Sequence, residues 1–122
     1  MIARNVNPLS KKVDSFIVYI YLFCKGFLVK PKVGKIFKER IFNHFFYFNE
    51  YYSFTSSLAE IFFLREYDFP ITSDYPSIID CGANIGLATI YFKLNYPESK
   101  ITCIEPNPEA FDLLQKNLAG FR

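Results

Sequence analysis

The residues best suited to chemistry in this chain lie in two short stretches, Asp80-Cys81-Gly82-Ala83-Asn84-Ile85-Gly86 and Glu105-Pro106-Asn107-Pro108-Glu109. In the first, Gly82 lets the backbone turn sharply and leaves it bare for a ligand to approach. Gly86 stands where a helix is expected to begin, and Asn84 between the two tolerates unusual dihedral angles better than most residues. In the second stretch Glu105 follows Gly86 by 19 residues. An acid at that spacing, at the end of a second strand, can accept hydrogen bonds from both hydroxyls of a ribose. Pyrophosphate is a poor match for the first turn. A dinucleotide fingerprint needs glycines at 82, 84 and 87, where this chain has Gly82, Asn84 and Leu87, and a G-x-x-x-x-G-K loop is absent. Adenosine without phosphates suits the pattern better. S-adenosylmethionine has that character, because its methionine part carries a sulfonium and an ammonium whose charge Asp80 helps to balance. Taken singly, Asp80 reads equally well as a turn cap and Glu105 as a helix-dipole partner beside Asn107. Their joint spacing around two glycines is what points to a ligand.

Such a site needs elements to position it, and the C-terminal part of the chain supplies them. Ser77-Ile78-Ile79-Asp80 is a short apolar run closed by an acid and then a glycine, as a buried parallel strand is. Residues 85–96 follow with helical spacing at Ile85, Ala88, Thr89 and Phe92 and stop at Pro97. Ile101-Thr102-Cys103-Ile104 is a second β-rich run. Then Asn107 caps a helix, Pro108 suits its first position and Glu109 its positive end. Phe111, Leu114 and Leu118 form the expected apolar stripe, and Gly120 the stop. Strand, helix, strand, helix in this order is a βαβα unit with parallel strands and a right-handed crossover.

The stretch Ile79 to Gly86, the element Glu105-Pro106-Asn107-Pro108-Glu109 and the pattern Phe111-x-x-Leu114-x-x-Asn117-Leu118 together resemble the FkbM family of S-adenosylmethionine-dependent methyltransferases. Glu60 to Phe69 resembles the segment before the first strand in that family. The resemblance covers about residues 58–121. It implies a Rossmann-like class I methyltransferase sheet and O-methylation of a small-molecule or sugar acceptor. Asp80, Gly82, Ala83, Asn84 and Gly86 would line the donor, with Glu105 on its ribose and Pro106 beside it. It also places the acceptor-side and catalytic residues after later strands, so none of the 122 residues is assigned as a catalytic base. A doubly wound sheet has five or six strands. The expectation is therefore an α/β fold: N-terminal helices followed by the first units of that sheet, cut short. The alternative is a non-catalytic remnant or interaction module that keeps the donor loop.

Residues 1–57 are of another kind. Residues 1–49 hold nine Lys or Arg against Asp14 and Glu39, a balance of +7, whereas residues 50–122 hold five basic and ten acidic residues, a balance of −5. About half of the chain is apolar and a fifth aromatic, enough for a core. Helical spacing at 13, 16, 17, 20, 23, 24, 27 and 28 predicts a helix over 12–29. Lys30 to Lys35 reads as an exposed connection. A second helix is expected over about 36–49, a break near Ser53–Ser57, and a third helix over about 58–67. The rings of Phe42, Phe45, Phe46, Tyr47, Phe48, Tyr51, Tyr52 and Phe54 read as core for these helices rather than as a platform for bases, and no nucleic-acid partner is expected. His44 reads as packed or surface. The apolar run Phe16–Cys24 falls short of the roughly 20 residues that span a bilayer, and no small-residue cleavage site follows it. The lysines read most simply as a solvated face, the alternative being weak attraction to phosphate-bearing acceptors or an anionic membrane surface. Cys24, Cys81 and Cys103 have neither disulfide nor zinc spacing, which suggests reduced thiols in the cytoplasm and no metal. An incomplete sheet edge invites self-association or a complementing chain.

Overall fold

Residues 36–49, expected as a helix, form a β-hairpin in the computed structural model of the chain, which describes residues 12–29 and 34–121. Strand β1 (Phe37–Ile41) pairs antiparallel with β2 (His44–Phe48), from Phe37↔Phe48 to Ile41↔His44. The abundance of rings conceals an alternation of period two. Phe37, Ile41, Phe46 and Phe48 fall on one face and are buried, while Lys38, Arg40 and Phe45 fall on the other and are exposed. Phe42 and Asn43 reverse the chain with φ of 52° and 64°, the doubly positive pattern of two-residue hairpin turns. Asn accepts that conformation readily, but Phe does not. Tertiary packing holds Phe42 there: its ring stacks on Phe62 at 5.5 Å and meets Phe63 edge-on at 6.3 Å.

The expected break at Ser53–Ser57 is instead the body of helix α2 (Tyr51–Leu58). Glu50 starts it, accepting from the amides of Tyr52 at 2.7 Å and Ser53 at 2.6 Å, amides that otherwise lack partners in a first turn. The helix widens into a π-helical turn, Ala59–Phe63, and ends before the expected Tyr67. Two compact units divide between Arg65 and Glu66. The boundary expected at 57/58 falls where α2 runs directly into its π turn.

In the first unit, Leu22, Phe46, Phe48, Phe54, Leu58 and Phe62 are almost wholly buried, with Phe48 and Phe54 stacked parallel at 4.0 Å. The aromatic cluster is core as expected at Phe46, Phe48, Tyr51 and Phe54, but Phe45 and Tyr52 are exposed. His44 packs edge-on against Phe46. Helix α1 (Lys12–Leu28) forms where predicted, yet it packs through Leu22, Tyr19 and Gly26, not through the stripe that announces it. Gly26 approaches so closely that a Cβ there would lie 2.8 Å from that of Tyr51. Beside it, Lys25 Nζ meets Glu39 Oε1 at 2.6 Å, and Tyr51 donates its hydroxyl to the same oxygen. No helix among the described residues is long and apolar enough to cross a membrane.

The second unit is the expected βαβα unit. β3 (Ser77–Cys81) and β4 (Lys100–Ile104) pair parallel, from Ser77↔Lys100 to Cys81↔Ile104. Between them runs α3 (Leu87–Asn95), and α4 (Pro108–Leu118) follows. Asn107 caps α4 as read, its Oδ1 accepting from Glu109 N at 2.9 Å and Ala110 N at 3.2 Å. The buried side of α4 is Leu113, Leu114 and Asn117, while Phe111 of the expected stripe is exposed. The helix is rotated so that Asn117 reaches the turn after β3. Both strands are not fully buried either: Ile79 is 69% and Ile104 51% exposed, on the face opposite Asp80 and Cys103. Among the described residues this sheet has two strands.

The link between α1, β1 and α2 carries a pH signature. Burial and the bond to Glu39 raise the Tyr51 hydroxyl from 10.0 to about 12, and Lys25 is raised chiefly by its bond to Glu39. A group whose pKa is raised by folding contributes stability below its unfolded pKa and loses it as pH climbs through the folded one. Melting curves between pH 10 and 12 should therefore fall faster for the wild type than for Tyr51→Phe, the wild-type advantage vanishing at the upper end.

Candidate functional site

The turn after β3 needs three departures from ordinary backbone within five residues. Gly82, Asn84 and Gly86 all have positive φ, at 80°, 48° and 89°, where side chains with a Cβ are disfavoured. The two glycines serve different ends. At Gly86 an added Cβ would lie 2.8 Å from Leu114 Cδ1, so this glycine exists for packing against α4. At Gly82 an added Cβ would meet nothing within 4 Å. Its backbone faces open space, as a ligand-facing turn requires.

The two stretches singled out in the sequence come together. Glu105 Oε2 accepts from Asn84 N at 2.8 Å, and Glu105 Oε1 accepts from Asn107 N at 2.8 Å. The amides of Gly82 and Ala83 both donate to the carbonyl of Ile104, at 2.8 and 3.1 Å. The half-exposed Glu105 carboxylate thus ties the glycine turn to the end of β4. Each oxygen gives one acceptor position to an amide and keeps another, on a rim where Gly82, Asn84 and Pro106 are exposed. Ala83 is buried, its carbonyl accepting from Gly86 N at 2.8 Å, so its part in the turn is to close it. Asp80 is half-buried, and its Oδ2 accepts from Thr89 Oγ1 at 2.7 Å.

Three positioning residues were not assigned from sequence. Thr89, buried in the first turns of α3, sits 3.2 Å from Cys103 Sγ while it donates to Asp80, and so orients the carboxylate. Asn117, 1% exposed, donates from Nδ2 to the carbonyl of Ile85 at 2.8 Å. Cys103, the third, faces Thr89 from β4. A threonine and an asparagine on otherwise apolar helix faces were the available signals, since a buried polar group must find a partner.

The rim thus sets a bare glycine, just after β3, beside an acid just past the end of β4. Over part of its length the chain is homologous to fungal methyltransferases. It is 47% identical over 60 residues to Methyltransferase sdnD of Sordaria araneosa, a stretch of 49% of this chain and 23% of that protein. It is 42% identical over 59 residues to Methyltransferase 1 of Beauveria bassiana (strain ARSEF 2860), covering 48% of this chain and 24% of that protein. The matched stretch spans about a quarter of the length of these curated relatives. No family model matches the chain.

The different surroundings of the two glycines give an ordered expectation. Gly82→Ala should cost only the left-handed strain of about 1–2 kcal/mol. Gly86→Ala adds displacement of the buried Leu114 and should cost about 2–4 kcal/mol in all. Urea denaturation of the two variants measures the difference, and equal losses would contradict the packing role of Gly86.

Proposed function

We propose that the second unit is the donor-binding start of an S-adenosylmethionine-dependent methyltransferase of the FkbM type. On this reading β3 and β4 are the first two strands of a Rossmann-like sheet, and the acceptor is a small molecule or a sugar. The observation that carries the reading is the Glu105 carboxylate, fixed by the Asn84 and Asn107 amides beside the open backbone of Gly82. The match to two methyltransferases supports the class of reaction. Because the matched stretch is about a quarter of each relative, the acceptor-side and catalytic groups belong in this reading to further strand-helix units.

The donor set suits this ligand. S-adenosylmethionine, when bound, supplies an electrophilic methyl group on a sulfonium sulfur. The remaining acceptor positions of Glu105 would take the ribose hydroxyls, whose donors a fixed carboxylate can accept together. Gly82 and Asn84 would lie against the ligand with backbone rather than side chain. Asp80, oriented by Thr89, would place a negative charge near the cationic methionine end. No phosphate-binding loop competes for the same rim.

Calorimetric titration of the chain with S-adenosylhomocysteine and with NAD tests the reading. S-adenosylhomocysteine should bind more tightly, and Glu105→Ala should weaken it at least about tenfold, as expected for losing hydrogen bonds to a charged acceptor. Gly82→Ala supplies an independent arm, since its methyl enters open space and should weaken the ligand while leaving the circular dichroism spectrum unchanged. Tighter binding of NAD, or full affinity in both variants, would overturn the assignment.

A further inference from the structure

Helix α1 leaves its most apolar side unpacked. Phe16, Ile17, Ile20, Tyr21, Phe23, Phe27 and Leu28 are all exposed, Phe27 at 88% and Leu28 at 81%. At 100° per residue these positions and the exposed Cys24 cover an arc of about 160° without a charged residue. The opposite side carries Leu22 and Gly26 against the rest of its unit. A helix apolar all round is normally buried all round, and patches of large exposed rings mark interaction sites. A shallow hollow lined by Phe23, Cys24, Phe27 and Leu28 lies on the same surface.

The charge around this arc selects its occupant. Arg4, Lys11 and Lys12 precede it in the sequence and Lys30, Lys32 and Lys35 follow it, so with Lys25 and Asp14 residues 1–35 carry a net charge of +6. Lys25 is occupied by Glu39; the other six stand before and after the apolar run in the sequence. An aromatic and aliphatic face bracketed by lysines is the composition of a helix that lies in the plane of a bilayer surface, with its rings at the acyl boundary and its cations among anionic headgroups. The described helix of 17 residues reaches about 26 Å, less than the roughly 30 Å hydrocarbon core.

We propose that the outward face of α1 is a monotopic membrane-docking surface that takes an anionic phospholipid bilayer. The apolar arc contributes the burial and the flanking cations the lipid preference, which holds the rest of the chain at the membrane surface. This inference is independent of the methyl-donor reading, since it concerns the first unit alone.

The test uses the whole chain and extruded vesicles of phosphatidylcholine alone or of phosphatidylcholine with phosphatidylserine as the anionic lipid. Binding should be at least about tenfold stronger to the anionic vesicles and should weaken as salt screens the lysines. The double variant Ile20→Glu/Phe27→Glu, at two exposed positions, should lose at least about tenfold in partitioning. Because the chain contains no tryptophan, Phe27→Trp adds a conservative single reporter. Its emission should shift to the blue on adding anionic vesicles and be quenched by brominated lipid. Emission already blue without vesicles and unchanged by them would mean that protein covers the face. If sedimentation then shows a dimer that the double variant dissociates, the occupant is a second copy. Either result, or equal binding to neutral and anionic vesicles, overturns the proposal.

Discussion

The Glu105 carboxylate is the constraint on which the second unit turns. It is the first side chain past β4, and it spends its two oxygens on two amides from opposite sides of the rim, Asn84 before α3 and Asn107 before α4. The neighbouring carbonyl of Ile104 receives the amides of Gly82 and Ala83. Three amides of the positive-φ turn, and that of Asn107 before α4, are thereby satisfied by two consecutive residues. Charged acceptors contribute roughly 1.5–3 kcal/mol per hydrogen bond, about twice a neutral one. The same atoms that close the turn therefore also aim its bare backbone outward. Behind the rim, Asn117 secures Ile85 and Thr89 secures Asp80, so the turn is braced from both helices.

The first unit is organised on a different balance. Its polar link, Lys25 to Glu39 to Tyr51, joins α1, β1 and α2, but Lys25 retains 37% side-chain exposure. A pair of that kind is worth at most about 1 kcal/mol. Each buried aromatic side chain contributes about 1.5–3 kcal/mol, and Phe46, Phe48, Phe54 and Phe62 are all buried to within 2%. The rings decide the fold, and the polar link adds a directed contact between α1, β1 and α2. Packing of Phe42 on Phe62 offsets the cost of a left-handed aromatic residue in the hairpin turn.

Both units present apolar surface outward, and the two surfaces differ in kind. On the sheet, Ile79, Cys81 and Ile104 face away from α3 in strict alternation with the residues that α3 covers. Among the described residues this parallel sheet has two strands and leaves one face bare, where layered parallel sheets are covered on both. On α1 the outward residues follow helical periodicity and are mostly large rings and branched aliphatics. The first surface has the geometry of sheet packing. The second follows the period of one helix face.

Where local chemistry settles conformation, the sequence sufficed. Asn107-Pro108-Glu109 caps α4 because an Asx side chain, a prolyl ring and a dipole all act within one turn. Ile78-Ile79-Asp80 and Ile101 to Ile104 read as strands, and their parallel pairing follows from the helix between them. The sequence places Asn84 and Glu105 at the ends of successive strands, but the bond between the Asn84 amide and the Glu105 carboxylate comes from the structure. Residues 37–48 misled because rings at nearly every position fit either period, and the turn that decides between them depends on Phe42 finding Phe62 in a later helix. The serines after Tyr51 misled because Glu50, not a serine, is the cap, and its bonds outweigh the weak propensities that follow. The sequence by itself thus determined the βαβα unit and the two polar stretches that meet at its rim, whose interactions are short in range or forced by topology. The tertiary structure alone decided the hairpin, the rotation of α4 onto Asn117 and the side of α1 that faces out, because each rests on contacts between segments whose patterns are separately ambiguous.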